Sequence, residues 1–389
     1  MLAVNKYTAV LGVLVACGLA GALVKIIYGE HVLGTTDMVP WGMLIAGYVF
    51  FAASATGVGL IGSLAHVFGY HSWDALGKRP LFLAAALLLP GFGLIGIELG
   101  NPFHMIWILF SPNLSSGIWW MGSLYSIYLA LLIAECYFSQ TNPHHKNEKL
   151  ISTLSFLTKI AAVSNLGAIF AFLHARPFWQ GGLYPVLMIV TAVLSGAACL
   201  IIVTHLLDRF GYHSDGLNVL EHLGRLLALL LAVTLIFDIW KMYTGMYGQA
   251  PGLYEATMAL LVGPLSLTFW LCEIGAGIIL PLILLLGMGG LQNRQLTFYA
   301  AVLALGGMFF QRYNFVIAGQ IAPQHVVGNM QPFFHSYSPS WVEWALVLAA
   351  FAGAALLYLL CEQKFDLDKD EAGAVYPRRW AGFKAGFRA

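Results

Sequence analysis

Residues 81–95, LFLAAALLLPGFGLI, run without a charge into residues 96–104, GIELGNPFH. The first piece is long and apolar enough to be most of a membrane-crossing helix, which needs roughly 20 such residues. The second places a carboxylate, Glu98, and an imidazole, His104, where that helix should leave the lipid. An ionisable group at that depth is costly and is read as functional unless a simpler role accounts for it.

The rest of the chain supports the membrane reading. Of 389 residues, 59% are hydrophobic and only 10% charged, and the mean hydropathy is +0.78. Such values lie outside the range of soluble globular chains. The 19 basic and 18 acidic side chains nearly cancel, so no basic stripe suits nucleic acid, and the glycine fingerprints of nucleotide-binding loops are absent. The five cysteines, Cys17, Cys136, Cys199, Cys272 and Cys361, stand singly. They form no iron–sulfur, zinc or c-type haem motif.

About ten segments qualify as spans: 8–28, 39–65, 80–98, 116–138, 152–173, 182–205, 222–244, 257–288, 295–319 and 341–362. In the first, Lys25 directly follows the apolar run without a good cleavage site before it, so the segment is expected to be a retained span rather than a signal peptide. The eighth holds Pro264, Gly275, Gly277 and Pro281 and is expected to be tilted or kinked. Lys78, Arg79, Lys146, Lys149, Arg209, Arg294 and a basic tail from Lys364 to Arg388 fall in every second connection. By the positive-inside rule both termini are expected in the cytoplasm, with the chain integral to the inner (cytoplasmic) membrane. His71/Asp74 and His144-His145 then lie in cytoplasmic loops, as solvated surface.

That orientation brings Trp41, Glu98, His104, Trp119, Trp120, His174 and Trp179 to the outer end of spans two to five. If those spans form a bundle, carboxylate, imidazoles and flat aromatic walls meet on one rim, a chemistry suited to a quinone head. The plainer readings stay open: Trp and Tyr at headgroup depth form an interfacial belt, Glu98 snorkels to water, and His174 is a solvated loop residue. Deeper lie Glu135, at the inner end of span four, and Asp238, Glu273 and Arg312 inside spans seven to nine. These three are expected to be close in space, either as a structural ion-paired cluster or as part of a proton path.

The segments VPWGMLIAGYVFFAASATG (39–57), GLIGIELGNPFHMIW (93–107), LALLIAECYF (129–138), HARPFWQGGLYP (174–185), FWLCEIGAGIILPL (269–282) and QRYNFVIAGQ (311–320) follow in an order and spacing that resembles the NrfD/polysulfide-reductase membrane subunits, in the ten-span branch found in hydrogenase and sulfur-redox transmembrane complexes. The resemblance implies an all-α integral membrane protein of two four-helix bundles plus two peripheral helices. It divides the chain into a peripheral first span and loop (1–38), an N-terminal bundle with the quinone site (39–180), a C-terminal bundle (181–322), and a last span with its cytoplasmic tail (323–389). It further implies no haem or metal in this chain, menaquinone or ubiquinone as substrate, and electron exchange with an iron–sulfur, ferredoxin-like subunit at the extracytoplasmic face, beside further redox subunits. Glu98 and His174 would then act on the quinone; the Trp41 region would help hold it, and Glu135, Asp238, Glu273 and Arg312 would carry protons.

Two other classes remain open. A haem b cytochrome needs paired axial histidines, and His66, His205 and His222 approach spans near one end. A secondary transporter or ion channel would use acids near mid-membrane, as Asp238 and Glu273 are placed.

Overall fold

The computed structural model of the chain describes residues 6–68, 73, 76–141, 148–209, 216–323, 334–365 and 367. His71, Asp74, His144, His145 and the tail from Lys369 onward lie outside the described residues. Among the described residues there is no strand, and ten helices are long and apolar enough to cross a membrane. These are α1 (Lys6–Tyr28), α2 (Met43–Phe68), α3 (Arg79–Glu98), α4 (Gly117–Thr141), α5 (Glu148–Ala171), α6 (Leu183–Arg209), α7 (Gly216–Gly248), α8 (Thr268–Gly287), α9 (Arg294–Ile321) and α10 (Trp341–Lys364). Hydrocarbon offers no partner to a backbone amide, so each crossing satisfies its own hydrogen bonds as a helix.

Local chemistry marks where the helices begin. Pro80 occupies the first turn of α3, where a missing N–H is harmless. The Asn293 side chain accepts from the Gln295 and Leu296 amides to start α9. Ser340 and Glu343 form a reciprocal capping box on α10. The eighth crossing is shorter than the 257–288 expected. A separate helix, Leu253–Leu261, precedes it, and the chain breaks at Gly263-Pro264 because a residue before proline is forced out of the helical region. The crossing itself is π-wound over Thr268–Ile279 and again over Ile283–Gly287.

The helices close into two rings. In the first, α2 packs on α3, α3 on α4, α4 on α5, and α5 back on α2; in the second, α6, α7, α8 and α9 do the same. The rings meet where α2 and α5 lie on α6 and where α2 lies on α9, while α1 packs on α10, which in turn lies against α3 and α2. One end of the assembly gathers Glu98 with the start of α2, the end of α5 and the start of α10; Arg79 and the end of α4 mark the opposite end. We call these the Glu98 end and the Arg79 end.

α2 is the central mast, buried over most of its length. It crosses α6 at a glycine pair: a Cβ at Gly57 would lie 1.8 Å from the Ala192 carbonyl oxygen, and one at Gly196 would lie 2.3 Å from the Gly57 carbonyl carbon. Lipid tails are as apolar as leucine, so helices associate through close packing of this kind. Gly57→Val is therefore expected to lower the thermal unfolding midpoint in detergent, or to abolish folded yield, through overpacking of about 1–3 kcal/mol or more. Gly12→Val, where the added Cβ meets nothing within 4 Å, is expected to leave the midpoint unchanged. Equal midpoints for the two variants would refute the role given to this crossing.

Candidate functional site

Inside the first ring, at the Glu98 end, lies a cavity of about 310 Å³. All four helices of the ring, with the segment leading into α2, supply its walls, among them Trp41, Tyr48, Glu98, Ile118, Met121 and Phe170. The lining is mostly apolar, with few polar groups, and the volume is at the lower end of small-molecule pockets. Glu98 is the last residue of α3. Its Oε2 is buried and has no hydrogen-bond partner. A carboxylate in the last turn also faces the negative end of the helix dipole. Lys25 of α1, itself buried, donates to the Leu99 carbonyl at 3.0 Å and brings a cation to that helix end.

Trp41 is held from several sides. Its N–H donates to Gln320 Oε1 at 2.9 Å, and its carbonyl accepts from Gln320 Nε2 at 2.8 Å. Its ring stacks on Trp179, with centroids 5.5 Å apart and planes at 25°, and meets the edge of Phe170 at 5.4 Å. Two residues on, the Met43 amide donates to the Tyr337 hydroxyl at 2.6 Å and lies 3.2 Å from Glu343 Oε1. Glu343, fully buried, also accepts from the Gly34 amide at 2.8 Å and the Tyr337 hydroxyl at 2.6 Å. The cavity wall is thus fixed by α9 and α10, outside its own ring.

The other rim residues do not line this cavity. Trp179 backs Trp41 and is buried, its indole N–H donating to the Phe315 carbonyl at 2.7 Å. His174 is exposed, its Nδ1 2.9 Å from the Phe172 carbonyl. His104 is exposed beside Asn101. Trp120 is exposed with its indole on the Leu114 carbonyl, and Trp119 is half-buried with its indole nitrogen unpartnered. Sequence depth brings these side chains to one end of the ring, but their directions take them elsewhere.

A second, tight cavity of about 10 Å³, room for a single water, lies in the second ring. Asp238, Lys241, Glu273, Gln311, Arg312 and Asn314 line it. The three charges expected to be neighbours do share this space, yet the direct contacts of Arg312 are Gln311 Oε1 at 3.0 Å and Thr191 Oγ1 at 2.5 Å. Glu273 accepts from Asn314 Nδ2 at 2.7 Å, and Asn314 Oδ1 accepts from Thr268 at 2.7 Å. Asp238 lies beside Gln311, but its Oδ2 and the Gln311 Nε2 complete no hydrogen bond of ordinary geometry. Glu273 sits in the π-wound part of α8, a distortion that recurs at functional positions. Glu135 stands apart, in the first ring toward the Arg79 end. It accepts from Ser155 at 2.8 Å and pairs with Lys159 at 3.4 Å.

A profile of the family described as "Polysulphide reductase, NrfD" matches residues 31–324. The chain belongs to that family. It is 24% identical over 400 residues to a selenate reductase subunit of Mesobacillus selenatarsenatis, covering 92% of this chain and 93% of the relative. It is 26% identical over 353 residues to the Hdr-like menaquinol oxidoreductase integral membrane subunit of Archaeoglobus fulgidus, covering 87% and 88%. It is 24% identical over 309 residues to a polysulfide reductase chain of Wolinella succinogenes, covering 73% of this chain and 95% of the relative.

In this NrfD-family chain the sequence reading passed over Lys159 and Lys241, although both lie inside expected spans and the cost of an intramembrane charge would have picked them out. Glu343, at the start of the tenth expected span, was passed over in the same way, whereas Gln320 carried no such signal, because the Trp41 backbone groups it holds belong to a distant segment. Tyr337 shows what such anchoring contributes. Burial, and then the Glu343 carboxylate beside it, push its hydroxyl well above the ordinary tyrosine range, so it stays a donor at neutral pH. Tyr337→Phe is expected to lower stability by about 1.5–3 kcal/mol, the range for a bond to a charged group. Because the folded-state value is raised, the contribution is complete below about pH 10, where the unfolded tyrosine titrates, and declines above it. Thermal melts of both proteins at pH 7 and pH 10.5 check this: the midpoint gap should be wider at pH 7.

Proposed function

We propose that this chain is the quinone-binding membrane subunit of a multisubunit electron-transfer complex, with the head of a menaquinone or ubiquinone seated in the first-ring cavity. The observation that carries the reading is the apolar cavity with one unpartnered carboxylate oxygen, Glu98 Oε2, in its wall. The menaquinol oxidoreductase membrane subunit among its relatives supports it.

Reduction of a quinone to a quinol forms two O–H bonds, using two electrons and two protons; oxidation reverses this. The electrons come from, or go to, an iron–sulfur, ferredoxin-like subunit docked at the Glu98 end. The exposed apolar stretch with Phe103, Trp107 and Phe110 beside the mouth supports a covered face there. By the loop charges that end is extracytoplasmic, and both termini are in the cytoplasm, with the chain in the inner membrane. Glu98 passes protons between the ring oxygens and water, and Trp41 with Phe170 supplies the flat walls. His174, on the rim, stands where protons leave for the aqueous phase and is given no bond to the ring. The charged cavity of the second ring, with Asp238, Glu273 and Arg312, belongs to a proton path. It is too small for a transported solute, which disfavours a solute-transporter reading.

Glu98→Gln keeps shape and hydrogen bonding but cannot ionise. The complex is expected to assemble, bind quinone and turn over at least about tenfold more slowly, the lower part of the range for general acid–base participation being about 10². Trp41→Ala is expected to weaken quinone binding instead, by about 0.5–1.5 kcal/mol for the lost ring contact. Quinol–dye turnover and quinone titration of the purified complexes read both effects. Unaltered turnover in Glu98→Gln with unaltered binding in Trp41→Ala would place the quinone elsewhere.

A further inference from the structure

α1 lies outside both rings, yet one face of it is buried. Its buried residues are Thr8, Gly18, Gly21 and Lys25, and the last three recur at the spacing of a single helix face. The two glycines let α1 close on α10. A Cβ at Gly18 would overlap that of Ala349, and one at Gly21 would touch Val342 and Ala345 at 3.7 Å. The same face carries Lys25 into the protein, 4% exposed, while Leu23, Ile26 and Ile27 around it face outward.

A lysine near the end of a crossing normally extends to the headgroups. Lys25 turns inward instead, at the end proposed above to be extracytoplasmic, where basic residues are not favoured. Its Nζ donates to the Leu99 carbonyl at 3.0 Å. Leu99 caps α3 directly after Glu98, and Glu98, Leu99 and Gly100 all line the first-ring cavity, whereas Lys25 does not. The turn after α1, Gly29–Val32, brings a second charge: a Cβ at Gly100 would lie 2.9 Å from Glu30 Oε1. Among the described residues, the charges within electrostatic reach of the Glu98 carboxyl are Lys25 from α1, Glu30 from that turn and Glu343 from α10. α2 adds Tyr48 to the same cavity wall, and α4 and α5 add apolar side chains.

An exposed lysine or a water would cap α3 as well, without the cost of burying an ammonium. Resting on the quinone reading, we infer that Lys25 is a positioning residue for the quinone chemistry: it fixes the backbone that carries Glu98 into the cavity and supplies the positive charge against which Glu98 gains and loses its proton. It acts through Glu98 and touches no part of the substrate. Without it Glu98 would face only the like charges of Glu30 and Glu343, and would hold its proton to higher pH. In quinol oxidation the quinol gives two electrons to the iron–sulfur partner and releases two protons. Glu98 must be ionised to take the first, and takes the second after passing the first to water. Turnover therefore rises with pH as Glu98 titrates, and Lys25 sets where that rise falls.

The test follows turnover of the purified intact complex from about pH 5 to pH 9, with a water-soluble quinol analogue as donor and a redox dye as acceptor from the iron–sulfur partner. Lys25→Met keeps the length of the side chain and removes its charge and its donor; Lys25→Arg keeps both. In Lys25→Met the rise of kcat is expected to move to higher pH by at least about half a unit, a fraction of what an opposite charge in direct contact contributes. KM for the quinol should stay within about twofold of wild type, because Lys25 is not part of the cavity wall. Lys25→Arg should restore the wild-type profile, and Lys25→Met added to Glu98→Gln should move nothing further. A merely structural cap would lower the thermal midpoint of Lys25→Met and leave the pH profile in place, which would overturn the inference. Should Lys25→Met fail to assemble, Lys25→Gln, which keeps a donor for the Leu99 carbonyl, is read in the same way. Failure of both beside a sound Lys25→Arg would make Lys25 a requirement of the fold alone and would also overturn it. The two readings fail separately: wild-type turnover in Glu98→Gln removes the quinone reading at this cavity and the role of Lys25 with it, whereas a slow Glu98→Gln beside an unmoved Lys25→Met profile removes the role of Lys25 only.

Discussion

Hydrocarbon cannot solvate a charge or a free amide, and each feature of this chain answers to that constraint. Among the described residues, backbone groups are paired within ten helices long enough to cross the membrane, and side-chain charges that enter the lipid zone are buried where another part of the protein can meet them. Lys25 meets the carbonyl that ends α3, Arg79 meets Glu362 at 3.0 Å, and Lys159 meets Glu135. Glu98 Oε2 and Asp238 Oδ2 are the buried carboxylate oxygens that complete no hydrogen bond of ordinary geometry among the described residues. Each lies on a residue that lines a cavity. In a medium that penalises unmet charge, that coincidence marks where chemistry is expected.

How much of this was legible in the sequence follows from the same physics. Length and hydropathy are properties of single segments, so the spans could be read from them, and only the proline-broken eighth crossing was drawn too long. Depth was legible too, which is why Trp41 and Glu98 were brought to one end and Asp238, Glu273 and Arg312 to one level. Direction around each helix axis was not. Every side of a membrane helix is apolar, so no polar face tells inward from outward, and His174 and Trp179 could not be distinguished from residues that line the cavity. Gln320 shows a further limit: it holds both backbone polar groups of Trp41 across 279 residues of sequence, a pairing that no local pattern announces.

The two cavities share one wall. Trp41 and Phe170 face the first, Phe315 faces the second, and the Phe170 and Phe315 rings meet at 4.8 Å with Trp179 closing the layer. On the far side Lys241 lies 4.0 Å from the Phe178 ring centre and 5.3 Å from that of Phe315. A layer of rings passes no proton, but it screens charge poorly, because the effective dielectric between buried sites is far below that of water. A change of charge in the first cavity is therefore felt in the second without any atom crossing the layer.

Material connection between the cavities has to go around the rings, and the structure offers one polar corner for that. Tyr125 of the first ring and Arg312 of the second lie within electrostatic reach of each other, and Arg312 is tied at its other side to Thr191 of α6. That corner lies where α2 presses on α6 at the Gly57–Gly196 crossing, so the contact that holds the rings together also sets how near their buried polar groups come. A bulkier residue at the crossing would separate the two sets by the width of a side chain. On this geometry the stability of the ring interface and the coupling of the two polar systems are not independent properties, and the small residues of α2 serve both.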